Sequence, residues 1–357
     1  MKDNRRVEEL KIPPSAKISE ALRRMDLLKR KLLIVIENDM FSSLLSIGDI
    51  QRAIIKGIDL NSQIKGILRS QISVASETDS DEEIRQRMMR GRSEFMPVVS
   101  RDGELLRLVF WEDLIGADTS IQKAKLGLPV VIMAGGIGSR LRPLTNVLPK
   151  ALIPIGDKSI IEQIMDSFLE YECREYYLSI NHKAEMIKYY FEDLMDRYGS
   201  VHYVEESEFL GTAGSLAMLK DKIKDTFFVS NCDIMVDQDY AEILDYHRSQ
   251  KNEITIVAAM LNMSVPYGVL NTDCNGQLES LSEKPELFYK INTGLYILEP
   301  SVFENIPNRA VFHITDLMES LVKQNRKVGV FPVSAKSWTD MGNWEEFLRQ
   351  AKVMSLT

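Results

Sequence analysis

Short apolar runs alternate with amphipathic stretches from about residue 128 to the end of the chain. The apolar runs predict strands at 129–133, 175–180, 202–205, 226–230, 255–261 and 328–332. The amphipathic stretches predict helices at 160–171, 183–198, 215–219, 240–250 and 315–323. This alternation predicts an α/β fold with a mainly parallel sheet and helices on both faces. In such sheets, ligands bind at the carboxyl ends of the strands.

The first 120 residues follow a different pattern, which occurs twice. The first copy, 12–60, has an amphipathic helix at 18–29, strands at 32–36 and 41–45, and a helix beginning near Ile50. The second copy, 72–116, has a helix at 80–89 and strands at 95–99 and 105–110. Copies of this size cannot each bury a large core, so we expect them to pack together. A polar stretch at 121–127 is predicted to link them to a second domain, 128–357.

The composition is that of a folded protein, with 45% hydrophobic and 27% charged residues. No apolar run is long enough for a membrane helix and the N-terminus is charged, so we expect neither a membrane span nor a secretory signal. Three cysteines, far apart, are typical of reduced thiols in a cytoplasmic protein. The first 120 residues carry 20 basic and 20 acidic residues, so the net charge of −8 belongs to the remainder. An acidic domain argues against nucleic acid as a partner.

The sharpest chemical signal comes directly after the predicted strand at 129–133. The strand is followed by a glycine-rich run with a basic residue: Ala134, Gly135, Gly136, Gly138, Ser139 and Arg140. Glycines let backbone N–H groups approach a triphosphate closely, and Lys150 brings further positive charge. The Walker pattern needs Gly-Lys-Ser/Thr, whereas Gly138 is followed by Ser-Arg. The dinucleotide pattern needs a small residue where this chain has Leu141.

Later segments with polar and glycine residues follow in a definite order. They are Leu210-Gly211-Thr212-Ala213-Gly214, Ser230-Asn231-Cys232-Asp233, Tyr267-Gly268-Val269, Glu283-Lys284-Pro285, Asn292-Thr293-Gly294 and Trp338-Thr339-Asp340-Met341-Gly342. Together with 130–155, this order resembles the signature of the sugar-1-phosphate nucleotidyltransferases, over residues 128–350. The resemblance implies a Rossmann-like, GT-A-like domain with a mixed sheet.

The resemblance also implies the reaction and its residues. A sugar 1-phosphate, already anionic and in need of no general base, would attack the α-phosphate of a nucleoside triphosphate in line and release pyrophosphate. Asp233 and Asp340 would hold Mg²⁺, and the catalytic cations would be Arg140 and Lys150. The implied nucleotide-binding residues are Ala134, Gly135, Gly136, Gly138, Ser139, Gly211 and Thr212. The implied sugar-phosphate residues are Tyr267, Gly268, Glu283, Lys284, Asn292 and Gly294.

In the first 120 residues, Ser46-Ile47-Gly48-Asp49-Ile50 and Glu112-Asp113-Leu114 each lie where a strand enters a helix. This arrangement resembles a tandem pair of CBS (cystathionine β-synthase) domains. The resemblance implies that Ser46, Asp49 and Asp113 bind an adenine nucleotide and that the chain forms a dimer or tetramer. The sequence departs from the family at Phe110, where Ser or Thr is usual. A purely structural pair that only makes a dimer interface therefore stays open.

The base and the sugar also stay open at this point. A CBS pair joined to such a transferase resembles enzymes of bacterial surface polysaccharide biosynthesis, including guanylyltransferases that act on glucosamine 1-phosphate. This favours GTP with a hexose or hexosamine 1-phosphate, while uridylyl and cytidylyl transfer remain alternatives. Two other readings are a nucleotide-sensing regulatory protein with an inactive transferase domain and a nucleotidyltransferase for a non-sugar phosphate. The retained cations and aspartates argue against the first of these.

Overall fold

The computed structural model describes residues 7–70, 72–91, 94–110, 123–206 and 208–354. The chain divides into two compact units, Met1–Gln122 and Lys123–Thr357. Asp113 and the helix predicted after Trp111 lie outside the described residues. The described part of the predicted linker, 123–127, contains no helix or strand, and the Leu126 N–H donates to the Tyr171 carbonyl over 2.8 Å.

The first unit contains two three-stranded sheets of the same topology. Its elements are β1 (Lys11–Ile12), α1 (Ile18–Leu28), β2 (Leu32–Glu37), β3 (Met40–Ser46), α2 (Ile47–Ile55), β4 (Ala75–Ser76), α3 (Asp81–Gly91), β5 (Phe95–Val99) and β6 (Leu105–Phe110). In each sheet the first strand runs parallel to the second, and the second antiparallel to the third. The helix and the two strands predicted for each copy are therefore present, and a short strand, β1 or β4, precedes the helix.

The two copies contact each other, as their small size requires. The Phe41 N–H donates to the Gly103 carbonyl over 3.0 Å, and the Lys31 N–H donates to the Glu94 carboxylate over 3.2 Å. The first bond joins the start of β3 to the β5–β6 turn, and the second joins the residues just before β2 and β5, so both satisfy backbone groups that would otherwise face the junction.

Ser46 and Asp49, the two described residues of the predicted regulatory site, form the N-terminal cap of α2. The Ser46 hydroxyl accepts from the Asp49 N–H over 3.3 Å, and the Asp49 carboxylate accepts from the Ser46 N–H over 2.8 Å. Asp49 is buried and also pairs with Arg52 and, over 2.8 Å, with Arg69. This capping box gives both residues a structural role that needs no ligand.

A seven-stranded mixed sheet forms the centre of the second unit. Its strands, in spatial order, are β11 (Ser200–Glu205), β10 (Glu175–Ile180), β7 (Val130–Met133), β12 (Phe227–Asn231), β17 (Glu286–Leu298), β14 (Ile254–Ser264) and β18 (Val328–Ser334). β11, β10, β7 and β12 run parallel to one another, whereas β17 is antiparallel to both β12 and β14. The mixed, mainly parallel sheet implied by the resemblance is confirmed.

Helices and small hairpins surround this sheet. The helices are α4 (Leu144–Val147), α5 (Ile160–Leu169), α6 (Ala184–Glu192), α7 (Met195–Tyr198), α8 (Tyr240–Gln250), α9 (Ile314–Lys323) and α10 (Trp344–Met354). The two-stranded pairs are β8 (Pro154–Ile155) with β9 (Lys158–Ser159), β13 (Ile234–Val236) with β19 (Trp338–Asp340), and β15 (Gly268–Thr272) with β16 (Leu278–Glu283). No helix among the described residues is long and apolar enough to cross a bilayer.

An apolar core of the second unit lies against one face of the sheet. Fully buried side chains from β7, β12 and β17 meet those of α9, including Val131, Leu298 and Leu317. The central strands are continuous apolar runs in the sequence because both faces of the sheet are buried there. This packing holds the carboxyl ends of β7 and β12 side by side, where the chemistry is expected.

One predicted helix needs correction, and one strand was missed. The single helix predicted at 183–198 is two helices, because the Leu194 N–H donates to the Phe191 carbonyl in a tight turn between α6 and α7. The turn lets the Tyr198 hydroxyl reach Asp166, over 3.0 Å. The central strand β17 was not predicted, since its first half mixes charged and apolar residues and is largely exposed, and the buried residues begin only at Thr293.

Candidate active site

A pocket opens at the carboxyl ends of β7 and β12, the position expected for a ligand in this fold. Its lining residues are Met133, Gly135, Gly136, Gly138, Lys150, Glu206, Phe209, Gly211, Thr212, Asn231, Cys232 and Asp233. Seven of the residues predicted for the site are therefore brought together. Ala134 and Ser139 belong to the same loop but are not in this lining.

The glycine-rich loop packs directly on Lys150. Gly138 has a φ of +67°, and a Cβ there would lie 2.8 Å from Thr145 Cγ2 and 3.0 Å from Lys150 Cβ. Only glycine satisfies both the backbone conformation and the contact. The Thr145 hydroxyl donates to the Gly138 carbonyl over 3.0 Å and holds the loop in place. The loop thus sets the position of the lysine as well as its own N–H groups.

Four charged side chains, two cations and two carboxylates, converge beside this loop. Lys150 Nζ donates to Asp233 Oδ2. The Arg140 guanidinium reaches both carboxylates, with Nη2 3.5 Å from Asp233 Oδ2 and Nη1 3.3 Å from Asp340 Oδ2. The side chains of Lys150 and Asp233 are 11% and 10% exposed, whereas that of Arg140 is 62% exposed. The inner pair is thus shielded from water, which strengthens electrostatic interactions there.

The two aspartates are 107 residues apart in the sequence, and a small two-stranded sheet brings them together. β13 and β19 are antiparallel, and Ile234 pairs with Asp340. The Met341 N–H donates to the Asp233 carbonyl over 2.7 Å, and the Gly342 N–H donates to Asp340 Oδ1 over 2.9 Å. The predicted metal aspartates therefore lie within reach of one guanidinium.

The two carboxylates fit a magnesium ion better than a metal held by protein alone. No group of three or more His, Cys, Asp or Glu side chains within the described ranges could hold a metal. Mg²⁺ is usually held by one or two carboxylates and completed by waters and substrate phosphates. Asp233 and Asp340 supply that number of hard oxygen ligands, both within reach of Arg140 at the end of the glycine-rich loop.

Glu206 is a lining residue that the sequence analysis missed. It follows β11, is 5% exposed, and its backbone N–H donates to the Ile180 carbonyl over 2.9 Å. Its carboxylate accepts from the Ser179 hydroxyl and, over 3.0 Å, from the Leu210 N–H. A Cβ on Gly135 would lie 3.2 Å from Glu206 Oε1, so the glycine leaves room beside this oxygen. No sequence motif marks a glutamate that becomes buried only when β10 and β11 pair.

Two further lining residues differ in their exposure. Phe209 is 50% exposed and presents its ring at the pocket. Cys232 is buried, and that burial raises the pKa of its thiol to about 12. The thiol therefore stays protonated at neutral pH, which excludes it as a nucleophile.

Thr212 has a structural partner. The Ile314 N–H donates to Thr212 Oγ1 over 3.0 Å, so the threonine satisfies a free N–H at the start of α9. We predict that Thr212→Val lowers the free energy of unfolding by about 1 kcal/mol, as loss of a helix cap does, and leaves the KM for the nucleotide nearly unchanged. Denaturant unfolding compared with Thr272→Val, at an exposed threonine of β15, tests this. Unchanged stability with a raised KM would instead make Thr212 a ligand of the nucleotide.

The residues predicted for the sugar phosphate are not in the lining of this pocket. Gly268 and Glu283 pair across the exposed β15–β16 hairpin, and the Lys284 N–H donates to the Tyr267 carbonyl over 3.3 Å. Gly294 is nearer: a Cβ there would lie 2.5 Å from Nδ2 of the lining residue Asn231. The Gly294 N–H in turn donates to Asn292 Oδ1 over 3.1 Å.

Residues 129–355 match the family described as Nucleotidyl transferase. The chain is 36% identical over 187 residues to "Probable mannose-1-phosphate guanylyltransferase 2" of Oryza sativa subsp. japonica, which covers 50% of this chain and 52% of that protein. It is 32% identical over 230 residues to "Probable mannose-1-phosphate guanylyltransferase 1" of the same plant, 62% of this chain and 63% of that one. The chain thus spans between half and two thirds of the length of these relatives. The crystal structure of HddC from Yersinia pseudotuberculosis matches with a TM-score of 0.51 and 25% identity, over 63% of this chain and 99% of that chain.

Proposed function

Because the chain belongs to the nucleotidyl transferase family, we propose that it transfers a nucleoside monophosphate from a nucleoside triphosphate, GTP by preference, to a sugar 1-phosphate and releases pyrophosphate. The observation that carries this proposal is the meeting of Lys150, Arg140 and two aspartates beside the glycine-rich loop. Such a site can gather a triphosphate, a metal and a second phosphate, which is what nucleotidyl transfer requires.

Each charged residue has a defined task in this proposal. Asp233 and Asp340 would hold Mg²⁺, and the bound ion would supply positive charge to the reacting phosphates. Lys150, held under the loop and shielded from water, would neutralise the α-phosphate as the pyrophosphate leaves. Arg140, the more exposed cation, would hold the β- and γ-phosphates with the loop N–H groups. The sugar phosphate attacks as an anion, so no side chain need remove a proton.

Glu206 supports guanine as the base. A carboxylate offers about four acceptor sites, and Ser179 and Leu210 occupy only two of those of Glu206. Guanine can donate to an acceptor from both N1–H and the N2 amino group. Uracil and thymine have one N–H between two carbonyl oxygens, and those oxygens would face a buried anion at a cost. Phe209 would stack on the face of the base.

We predict that Glu206→Gln lowers kcat/KM for GTP by about 10- to 100-fold, because a hydrogen bond to a charged group contributes about 1.5–3 kcal/mol. ITP lacks the N2 amino group, so its kcat/KM should fall much less. The measurement is the ratio of kcat/KM for GTP and ITP in the wild-type protein and the variant. Glu208→Gln, at an exposed glutamate two residues along the same loop, is the matched control. Equal losses for GTP and ITP would mean that Glu206 only supports the loop.

The acceptor is proposed to be a hexose or hexosamine 1-phosphate. The names of the plant relatives support mannose 1-phosphate, and the resemblance of the whole chain supports glucosamine 1-phosphate. Pyrophosphate release with Mg²⁺, measured for GTP, UTP, CTP, dTTP and ATP against a panel of sugar 1-phosphates, tests the proposal. One strongly preferred pair names the product. No release for any pair, from protein shown to be folded, would reject the proposal in favour of a regulatory protein or a non-sugar acceptor.

The first unit is proposed to be a CBS pair that regulates or assembles the enzyme in the cytoplasm. The two sheets of equal topology support this proposal, whereas the capping box of Ser46 and Asp49 accounts for these residues without a nucleotide. Calorimetric titration of the full chain with AMP, ADP and ATP, in the presence of saturating GTP, tests for a second nucleotide site. Absence of heat for all three would leave only the assembly role.

A further inference from the structure

Lys183 follows the carboxyl end of β10 and makes a contact to which the sequence analysis gave no role. Its ammonium donates to two backbone carbonyls of α4, that of Thr145 over 3.0 Å and that of Asn146 over 2.8 Å. These bonds join segments of the chain that are 38 and 37 residues apart. Lys183 therefore ties the segment between the glycine-rich loop and Lys150 to the central sheet.

The sequence of α4 explains why these two carbonyls need a donor from outside the helix. In a continuing helix the Thr145 carbonyl would accept from residue 149, but that residue is Pro149, which has no N–H. The helix ends at Val147, so the Asn146 carbonyl also lies in the last turn, where carbonyls have no helical partner. A lysine ammonium has three donors. Lys183 thus replaces the N–H groups that the end of α4 lacks.

Thr145 connects this contact to the charged centre of the site. Its side chain is 3% exposed, and its hydroxyl donates to the Gly138 carbonyl. Because a Cβ on Gly138 would meet both Thr145 and Lys150, these three residues pack without spare room. Any displacement of α4 is therefore passed on to the glycine-rich loop and to Lys150.

The turn that carries Lys183 is itself fixed. The Ala184 N–H donates to the Asn181 carbonyl over 3.2 Å, and the Asn181 side chain donates to the Glu206 carbonyl over 2.7 Å. Lys183 has a φ of +57°, in the left-handed region that a side chain adopts only at a cost. Strained backbone of this kind persists where the surrounding contacts determine it, and it occurs most often at functional sites. The ammonium is thus presented to α4 from a rigid support.

We propose that Lys183 is a positioning residue, which holds α4 so that the glycine-rich loop and Lys150 are in place before the nucleotide binds. A loop that is ordered in advance saves the cost of ordering it when the triphosphate binds. It also keeps the catalytic cation at the correct distance, where an error of about 1 Å can cost about 10²-fold in rate. The effect on catalysis rests on the proposed function, whereas the ordering of the loop does not.

The neighbouring contacts indicate that a variant at this position will fold. The Trp344 Nε1–H donates to the Arg142 carbonyl over 3.1 Å and holds the residues just before α4. Removal of the Lys183 ammonium therefore releases one end of this segment and leaves the other attached. Lys183→Met keeps the length of the side chain and removes its donors. Lys183→Arg keeps a cation with donors for two carbonyls and is the conservative variant.

Lys327 offers a matched control. Its ammonium donates over 3.1 Å to the carbonyl of Gln250, the last residue of α8, so it makes the same kind of bond at the end of a helix. It directly precedes β18, which is parallel to β14, and both β14 and β12 are antiparallel to β17. Lys327 therefore lies at the opposite edge of the sheet from the pocket. Lys327→Met should lower stability without affecting the reaction.

Hydrogen–deuterium exchange of the full chain without ligands tests the ordering of the loop. The amides of residues 141–148 include the bonded N–H groups of Leu141, Asn146 and Leu148. Their exchange should be faster in Lys183→Met than in the wild-type protein, and unchanged in Lys183→Arg and Lys327→Met. Equal exchange in Lys183→Met and the wild-type protein would overturn the proposal, because α4 would then be held without the lysine.

Steady-state kinetics test the effect on the reaction. Lys183→Met should lower kcat/KM for GTP by about 10- to 100-fold, with a higher KM for GTP and a lower kcat, and leave the KM for the sugar 1-phosphate nearly unchanged. Lys183→Arg should recover most of the loss. Wild-type kinetics for Lys183→Met, with only a lower unfolding temperature, would overturn the proposal and leave the proposed function intact. Absence of pyrophosphate release in the wild-type protein would instead reject the proposed function.

Discussion

Asp233→Asn should reduce pyrophosphate release in Mg²⁺ by about 10³-fold or more, the range found when an electrostatic group that stabilises the transition state is removed. Asn keeps the size of the side chain and leaves the backbone bond between the Asp233 carbonyl and the Met341 N–H in place. What is lost is the charge that Lys150 and Arg140 contact. Turnover under saturating GTP and sugar 1-phosphate is the measurement.

GTP binding without metal separates a lost metal ligand from a damaged site. Calorimetry without metal should show that Asp233→Asn still binds GTP, since removing a carboxylate beside the phosphates reduces repulsion. Asp221→Asn, whose carboxylate is 99% exposed, is the control and should keep full activity. Nearly full turnover of Asp233→Asn in Mg²⁺ would remove this aspartate from the metal site.

The elements of the fold with a clear apolar period could be predicted from the sequence alone. β5, β6, β10 and α8 have the predicted bounds, and the other predicted strands are shifted by a few residues. These segments are buried on a regular face, so local pattern and final burial agree. For β17, the local sequence pattern and the final burial do not agree. The pattern of its exposed half predicts a loop, and only pairing with β12 and β14 makes the segment a strand.

The charged centre of the site could also be predicted, because the glycine-rich loop and the two aspartates lie next to strands in the sequence. The pairing that brings Asp340 beside Asp233 was implied only by the family resemblance, since β13 and β19 are three residues each. Glu206 and Phe209 were missed for a different reason. Their importance depends on burial and on the gap left by Gly135, which are properties of the folded chain.

Gly342→Ala should lower kcat/KM by about 10²-fold, which is the effect of displacing catalytic groups by about 1 Å. A Cβ at this position would lie 2.4 Å from Asp233 Oδ2, 2.5 Å from Lys150 Nζ and 2.9 Å from Arg140 Nη2. These three atoms end flexible or charged side chains, so the protein can accept the methyl group by moving them apart. The fold should survive while the geometry of the site does not. Steady-state kinetics and thermal unfolding of the same sample measure the two effects.

Gly66→Ala is the matched control for this substitution, because a Cβ there has no atom within 4 Å and the backbone is not left-handed. It should leave both kcat/KM and the unfolding temperature nearly unchanged. A large loss of stability in Gly342→Ala would mean that the two-stranded sheet of β13 and β19, rather than the charged side chains, is displaced by the methyl group. Unchanged kinetics would show that Lys150, Arg140 and Asp233 can separate at no cost to the reaction, and this would contradict the proposed division of charge among them. The methyl group therefore tests whether catalysis depends on the close approach of all three side chains and not merely on their presence.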